Sequence, residues 1–355
     1  MLPAKSLVSV ITPVYNGAAF LDECIRSVLE QTYENFEYII LDNQSTDETV
    51  AIAERAAETD SRIRVIHCDE HLGIIANWNR SLQAISANSN YIKFVHADDW
   101  LFADCIARMV ELADANEDVG LVSAYRLEED RISLDYLPPD APCAPGTDTF
   151  VMEGRQVARA VLQKKASVLG SPTSVLIRSC LVSSSVPFFT DEFLHADKDA
   201  CLRVLQESNF GFIKQVLTYT RRHNESVTSL TNSLDTRRQE NLLVLKKYGP
   251  ALLSDAELER TQTRELIDYY NFLAAKAGTG AGQAFWESHR KVLASAGKPL
   301  SRWRLARAVL RHWANPASAL KGYLQATASD AGKVDKKTVG FLSASRKALP
   351  KDDAS

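Results

Sequence analysis

Two adjacent carboxylates, Asp98 and Asp99, end the apolar run Tyr91-Ile-Lys-Phe-Val-His-Ala-Asp-Asp-Trp100. A strand alternates its side chains across two faces, so at its end one carboxylate can turn toward a cation while its neighbour reaches a different group. In open parallel α/β sheets, ligands collect at the carboxyl ends of strands. Paired carboxylates there suit Mg²⁺ or Mn²⁺, hard ions that keep positions open for substrate phosphates. Taken alone, an Asp-Asp pair also reads as a turn that starts the next helix. Three further polar clusters weigh against that. Thr12-Pro-Val-Tyr-Asn-Gly17 ends one β-branched run, with Tyr15 offering a flat face to a base and Gly17 able to take φ > 0. Asp42-Asn-Gln-Ser-Thr-Asp47 ends a second, and Asn77-Trp-Asn-Arg80, behind Gly73, follows a third. Four such clusters at one sheet edge describe a nucleotide pocket better than four unrelated turns.

The elements that must position these clusters are legible. Val8 to Pro13, Phe36 to Leu41, Ile63 to His67, Tyr91 to Val95 and Gly120 to Tyr125 have strand character. Between the first two, Phe20, Cys24 and Val28, joined by Leu21, Ile25 and Leu29, form one apolar helical stripe. Ser45-Thr-Asp-Glu48 has the form of a capping box opening a helix over Val50 to Ala57. Strand alternating with helix at this spacing predicts an α/β fold with a mostly parallel sheet covered on both faces.

Composition bounds the rest. The 355 residues, 45% hydrophobic and 24% charged, are those of a globular chain with a sizeable core. No apolar run approaches the roughly 18 to 20 residues that span a bilayer, and the start lacks a signal-peptide layout, so the sequence predicts a cytoplasmic protein. Six cysteines without Cys-x-x-Cys spacing predict reduced, mostly buried thiols, with neither a zinc site nor a disulfide framework. A net charge of −4 argues against nucleic-acid binding. No Gly-x-Gly-x-x-Gly follows the first strand, which disfavours a dinucleotide oxidoreductase.

Val10-Ile-Thr-Pro-Val-Tyr-Asn-Gly17, Glu30-Gln-Thr-Tyr33, Asp42-Asn-Gln-Ser-Thr-Asp47 and the Asp98-Asp99 pair, in this order and spacing, resemble the family 2 glycosyltransferases over roughly residues 7 to 230. The resemblance implies a single Rossmann-like nucleotide-binding domain of the glycosyltransferase A type, a nucleotide-diphosphate sugar donor, a divalent cation and transfer with inversion. It also implies that Thr12 and Tyr15 line the base, that Asp42 and Asn43 reach the base edge and its surroundings, that Asp98 binds the ribose and that Asp99 binds the metal; Asn77, from the polar cluster after the third strand, is a further nucleotide-binding candidate. Many members have a second Asp where Asn43 stands, and uracil commonly donates to it. Asn43 can still accept through its carbonyl, which keeps uridine as the expected base.

Farther along, Asp135 to Asp148, with four prolines, reads as a long loop, Glu153 to Gln163 as a helix and Thr173 to Arg178 as a strand. In Leu194-His-Ala-Asp-Lys-Asp-Ala-Cys-Leu-Arg203 the apolar positions suggest a helix starting near Asp197, which on helix chemistry alone would be its N-cap. By resemblance, Asp197 is instead the general base, since family members place Arg six residues beyond that Asp, as Arg203 is here. The family's preceding Glu is Ala196, and Asp199 is a weaker alternative base. After a strand over Phe212 to Leu217, the resemblance makes His223 a metal ligand and places Ser226 and Thr228 over the diphosphate. Without it, His223 reads as a solvated side chain. Arg221 and Arg222 suit phosphate through their forked guanidinium groups.

The C-terminal third, 231–340, reads as a helical extension, with a second capping box at Ser254 to Glu257 and a break at Gly278 to Gly282, and 341–355 as a disordered tail. The nucleotide-sugar half spans about 1–130 and the acceptor half about 131–230. Ser288 to Ser329 holds eight Lys or Arg, no Asp or Glu, and Trp303, Leu310 and Trp313 among them. Two readings stand: an interfacial segment on an anionic membrane, which would make the protein peripheral at the inner face of the plasma membrane, or a helix packed on the domain with a solvated basic face.

The sequence therefore predicts a metal-dependent (Mn²⁺ or Mg²⁺) inverting glycosyltransferase. It would move a sugar from a nucleotide-diphosphate donor, by expectation a UDP-sugar, to a glycan or lipid-linked acceptor hydroxyl in polysaccharide or surface glycan assembly. A nucleotidyltransferase would instead release pyrophosphate, and a non-catalytic nucleotide-sugar binding module would bind without turnover.

Overall fold

The computed structural model describes residues 5–128, 131–132, 136–144, 146–183, 187–190, 196–221, 236–277 and 281–314. Arg222, His223, Ser226 and Thr228 lie outside the described residues, as does the basic segment beyond residue 314.

The first strand, β1 (Val8–Val14), is buried at every position, which is why its polar members are only the small Ser9 and Thr12 among Val8, Val10, Ile11 and Val14. Val8, Val10 and Val14 pack with Leu21, Cys24, Ile25 and Val28 of α1 (Leu21–Leu29) on one face of the sheet. Ile11 points the other way, into a second core cluster. Around β1 assemble β2 (Phe36–Asp42), β3 (Ile63–His67), β4 (Tyr91–Phe94), β5 (Trp100–Leu101), β6 (Val119–Glu128), β7 (Arg131–Ile132), β8 (Thr149–Met152), β9 (Val175–Arg178) and β10 (Asn209–Thr220). They form one 10-stranded sheet in the order β3-β2-β1-β4-β9-β6-β10-β5, with β7 on β6 and β8 on β10. β3, β2, β1 and β4 are mutually parallel, and β6 and β10 are parallel to each other. β9 runs against both of its neighbours, β4 and β6, so the two parallel groups share one direction. The sheet is mostly parallel, with helices on both faces.

Those helices are α2 (Thr49–Thr59), α3 (Ile74–Leu82), α4 (Cys105–Asp114), α5 (Gly154–Leu162), α6 (Ser179–Ser183) and α7 (Ala196–Glu207). A helical region follows with α8 (Thr236–Leu252), α9 (Asp255–Ala277), α10 (Gln283–Ser295) and α11 (Arg302–Ala314). α8 joins the two regions. Its Val244, Leu245, Tyr248 and Leu252, spaced along one helical face, enter the core beneath the sheet, whereas Leu242 packs with Leu266, Leu273, Phe285 and Leu293 of the following helices.

Three local expectations are corrected. Ser45 and Glu48 do not form a capping box: α2 starts at Thr49, and its backbone N–H and hydroxyl both donate to Asp47 Oδ1, at 3.1 and 2.5 Å. Gly17 is not a positive-φ residue; Asn16 takes that role at φ 48°. Glycine is needed at 17 for space, because a Cβ would meet Val14 Cγ2 at 2.6 Å. Of the six thiols, Cys24, Cys105 and Cys201 are buried, but Cys143 and Cys180 are exposed. The Ser254 box does form on one side, where Ser254 donates to Glu257 Oε2 through N–H (3.0 Å) and hydroxyl (2.9 Å) and helps to hold Glu257 down to about 2.

Candidate active site

The loops after β1 and β2 are knitted together by side chains acting on backbone. Asn16 Oδ1 accepts from Thr46 N at 2.8 Å, while Asn16 N donates to Ser45 Oγ at 2.9 Å and Gly17 N to Thr49 Oγ1 at 2.8 Å. Above this frame Tyr15 is 50% exposed, with its ring centroid 4.4 Å from that of His71 at an interplanar angle of 61°. A half-exposed phenol at a strand end is available to stack on a base. Asp42 is buried at the end of β2 and accepts from Ser45 N at 3.2 and 3.3 Å.

Two expected base contacts are absorbed by the fold. Thr12 is fully buried, and its hydroxyl donates to Val95 O at 2.8 Å and lies 2.9 Å from the Tyr38 hydroxyl, so it supports the strand ends from beneath and does not line the base. Asn43 uses both ends of its amide on the backbone of one residue: Nδ2 donates to Leu72 O and Oδ1 accepts from Leu72 N, each at 2.8 Å. It anchors the loop that carries His71. Asn77 behaves differently. Its Oδ1 is buried and has no hydrogen-bond partner among the described residues.

The carboxylate pair sits as its strand position requires. Asp99 is buried; Thr173 Oγ1 donates to its Oδ2 at 2.6 Å and Arg221 N to its Oδ1 at 3.0 Å. Thr173 is held in turn by Lys93, whose Nζ donates to Thr173 O at 2.5 Å and to Val175 O at 3.3 Å. Burial lowers the Lys93 ammonium from its ordinary range. The Arg221 guanidinium, expected at the diphosphate, is committed elsewhere: Nη2 contacts Glu23 Oε2 at 2.6 Å, Nε donates to Asp98 O at 3.1 Å, and its carbon lies 4.4 Å from the Phe20 ring centroid. It braces the Asp98-Asp99 turn against α1.

His96, two residues before the pair, was not singled out from the sequence although it stood in the same stretch. One of its ring nitrogens and single oxygens of Asp98 and Asp99 lie within 4.8 Å of one another. Burial lowers its imidazole below the usual range, opposed by Asp98 and Asp197. A neutral imidazole and carboxylates are ordinary ligands. These residues fit a divalent cation. Thr173 carried no local signal, since its partner lies 74 residues away.

Asp197 and Asp199 separate sharply. α7 begins at Ala196, so Asp197 lies in its first turn rather than at the cap. With Ala200 and Cys201 it borders a small hollow shared with Phe94, Pro172 and Phe189. Burial raises the Cys201 thiol, and that of Cys24 to about 12, which removes both as nucleophiles at neutral pH. Asp199 is fully buried and saturated. Tyr248 Oη (2.6 Å) and Lys247 Nζ (2.9 Å) reach Oδ1, while Thr190 Oγ1 (3.3 Å) and Arg203 Nε (3.4 Å) reach Oδ2. It fastens α8 to α7 and has no capacity left to act as a base.

A mostly parallel sheet of this order, with helices on both faces and carboxylates at its carboxyl edge, has the architecture of the A-type glycosyltransferases. The chain belongs to glycosyl transferase family 2, whose model matches residues 9–179. It is 32% identical to the glycosyltransferase GlyG of Streptococcus pneumoniae over 73% of this chain and 85% of that protein. It is also 36% identical to a putative teichuronic acid biosynthesis glycosyltransferase, TuaG, of Bacillus subtilis, over 30% of this chain and 42% of that one. Its fold resembles residues 1–349 of S. aureus TarS, solved with UDP-GlcNAc, at TM-score 0.59 and 16% identity over 90% of this chain and 92% of that one.

Proposed function

We propose that this glycosyltransferase transfers a sugar from a UDP-sugar, with inversion and with Mn²⁺ or Mg²⁺ held at Asp99, to a hydroxyl of a glycan or lipid-linked acceptor in surface polysaccharide assembly. The observation that carries the reading is the division of labour among three aspartates: Asp99 buried and oriented by two donors, Asp197 at a helix start facing a hollow, and Asp199 removed from chemistry by four partners. Tyr15 stacks on the base, and Asp98 accepts from the ribose. A bound divalent cation supplies charge neutralisation to the departing diphosphate. Asp197 takes the acceptor proton as the new bond forms on the face opposite the leaving group, so an α-linked donor yields a β product. The TuaG likeness supports the polysaccharide setting, and the TarS complex makes UDP-GlcNAc the first donor to test.

The test is a donor panel. With Mn²⁺ and saturating UDP-, GDP- or dTDP-sugars, only UDP-sugars are expected to raise the melting temperature, by the equivalent of about 2.7 kcal/mol at a hundredfold excess over Kd. The same donors should release UDP slowly by hydrolysis. Pyrophosphate as product would install the nucleotidyltransferase, and protection without any turnover, acceptors included, would install the binding module.

A second reading concerns α11. Leu305, Ala308 and Val309 pack it into the helical cluster, yet Trp303 (87%) and Leu310 (70%), seven residues apart and so on one face, are exposed. Arg302, Arg304, Arg307 and Arg311 around them are exposed too. Among the described residues no helix is long and apolar enough to cross a membrane. We propose that this face lies on an anionic lipid surface, where each arginine contributes about 1 kcal/mol. The protein should float with vesicles rich in phosphatidylglycerol and not with neutral ones, and Trp303→Ser with Leu310→Ser should abolish flotation without altering turnover on a soluble acceptor. Equal flotation on both vesicles would overturn the anionic-lipid reading, and flotation on neither would leave the face as a solvated basic surface.

A further inference from the structure

The reading of Asp99 as the cation's carboxylate leaves His96 unexplained. Its backbone is committed: N donates to Thr173 Oγ1 at 3.1 Å and O accepts from Asp99 N at 2.9 Å. Its ring lies against Trp78, with centroids 5.3 Å apart. Its Nε2 is sealed from solvent and meets no hydrogen-bond partner among the described residues. An imidazole nitrogen placed so forfeits its hydrogen bond with water and gains none in exchange, a cost of roughly 1 to 3 kcal/mol. Such an atom is accounted for when a ligand completes it.

The geometry indicates which ligand. Two donor atoms on one small divalent ion at about 2.0 to 2.2 Å are at most about 4.4 Å apart. The ligand atoms of His96, Asp98 and Asp99 lie within 4.8 Å of one another; three ligands on one such ion stand closer, about 3 Å apart where they are neighbours in an octahedron, so closing them on an ion takes side-chain motion on the order of an ångström. The backbone that sets this spacing is pinned through Thr173, which ties His96 N and Asp99 Oδ2 to one hydroxyl.

We infer that His96 is a direct protein ligand of the divalent cation, making with Asp99 and one oxygen of Asp98, whose other oxygen serves the ribose, a site that exists before the donor arrives. Two consequences follow. The protein binds a cation without nucleotide, whereas a lone carboxylate would need the donor's diphosphate to complete the shell. The nitrogen also shifts preference toward transition ions, since imidazole suits them and Mg²⁺ favours oxygen.

The inference rests on Asp99 holding the cation, and the experiment separates the two. Free Mn²⁺ is titrated by electron paramagnetic resonance into the full chain without nucleotide, with Mg²⁺ as competitor, for the parent, His96→Ala, His96→Gln and Asp99→Asn. Both His96 variants are expected to lose Mn²⁺ affinity by roughly tenfold or more, with Mg²⁺ affinity changed much less. Asp99→Asn should lose both ions. Pulsed resonance on the unmutated protein should show a directly bonded imidazole nitrogen, a readout that needs no variant to fold. Absence of that coupling, or a parent that binds no Mn²⁺ alone, overturns the role of His96. Parental Mn²⁺ affinity in both His96 variants does the same while leaving Asp99 standing, and unchanged binding by Asp99→Asn overturns the underlying metal assignment.

Discussion

Asp197→Asn should lower sugar transfer by roughly 10² to 10⁴, the range for loss of a general base, while UDP-sugar binding and melting temperature stay near parental values. An acceptor hydroxyl is a poor nucleophile at neutral pH, and only a group able to take its proton removes that barrier. Asparagine keeps the size and the first-turn position of Asp197 in α7, which starts one residue earlier at Ala196, but has no basicity. The measurement is initial transfer rate at saturating donor, beside a thermal melt with and without UDP. Retention of more than about a tenth of parental transfer, well outside that range, would mean that the base lies elsewhere. The neighbour Asp199 could not replace it, because all its capacity goes to Tyr248, Lys247, Thr190 and Arg203.

Asp199→Ala has its large effect on stability instead. Breaking a buried charge pair by removing one partner costs about 3 to 5 kcal/mol. The lower end applies here, since Lys247 and Arg203 are 33% and 24% exposed and can turn toward water. The buried Tyr248 hydroxyl cannot. Loss of about 3 kcal/mol should appear as a lower denaturant midpoint, with proteolysis first cutting around α8, which this carboxylate fastens to α7. Asp199→Asn, able to accept from Tyr248, should recover part of the loss. A midpoint within error of the parent in both variants would show that packing of Val244, Leu245 and Leu252 alone secures that junction.

The strands were legible because β1, β2 and β4 lie between two covered faces and are mostly apolar, with Ser9, Thr12, Glu37, Asp42 and Lys93 as the exceptions, so β-branched and aromatic runs reveal them. What failed was the direction and the partner of single side chains. Thr12 occupies the expected position, but its turn of the alternation faces Cys24 and Tyr38 in the core. Asn43 was open to a base by residue type, yet its amide pairs at both ends with the backbone of Leu72, 29 residues on. Arg221 had the right chemistry for phosphate and found Glu23, 198 residues back. The α2 cap went wrong by local competition, with Asp47 reaching the first free amide before Ser45 could. His96 was the opposite case: the spacing was in plain view, and only the burial of its ring nitrogen gave it meaning.

The reversed strand β9 also sets a schedule for the growing polypeptide on the ribosome. β3, β2, β1 and β4 come from the first 94 residues and can pair as they emerge, but β4 then presents a bare edge until Val175–Arg178 arrives to cover it. At translation rates of roughly 5 to 20 residues per second, the intervening eighty or so residues take on the order of 4 to 16 s. During that interval β6 is also synthesised and waits for both β9 and β10. Unpaired apolar strand edges are templates for association with other chains, so the nascent protein is most exposed to aggregation between about residue 95 and residue 220. Slowing synthesis within that window should lower soluble yield more than the same delay placed in the helices that follow.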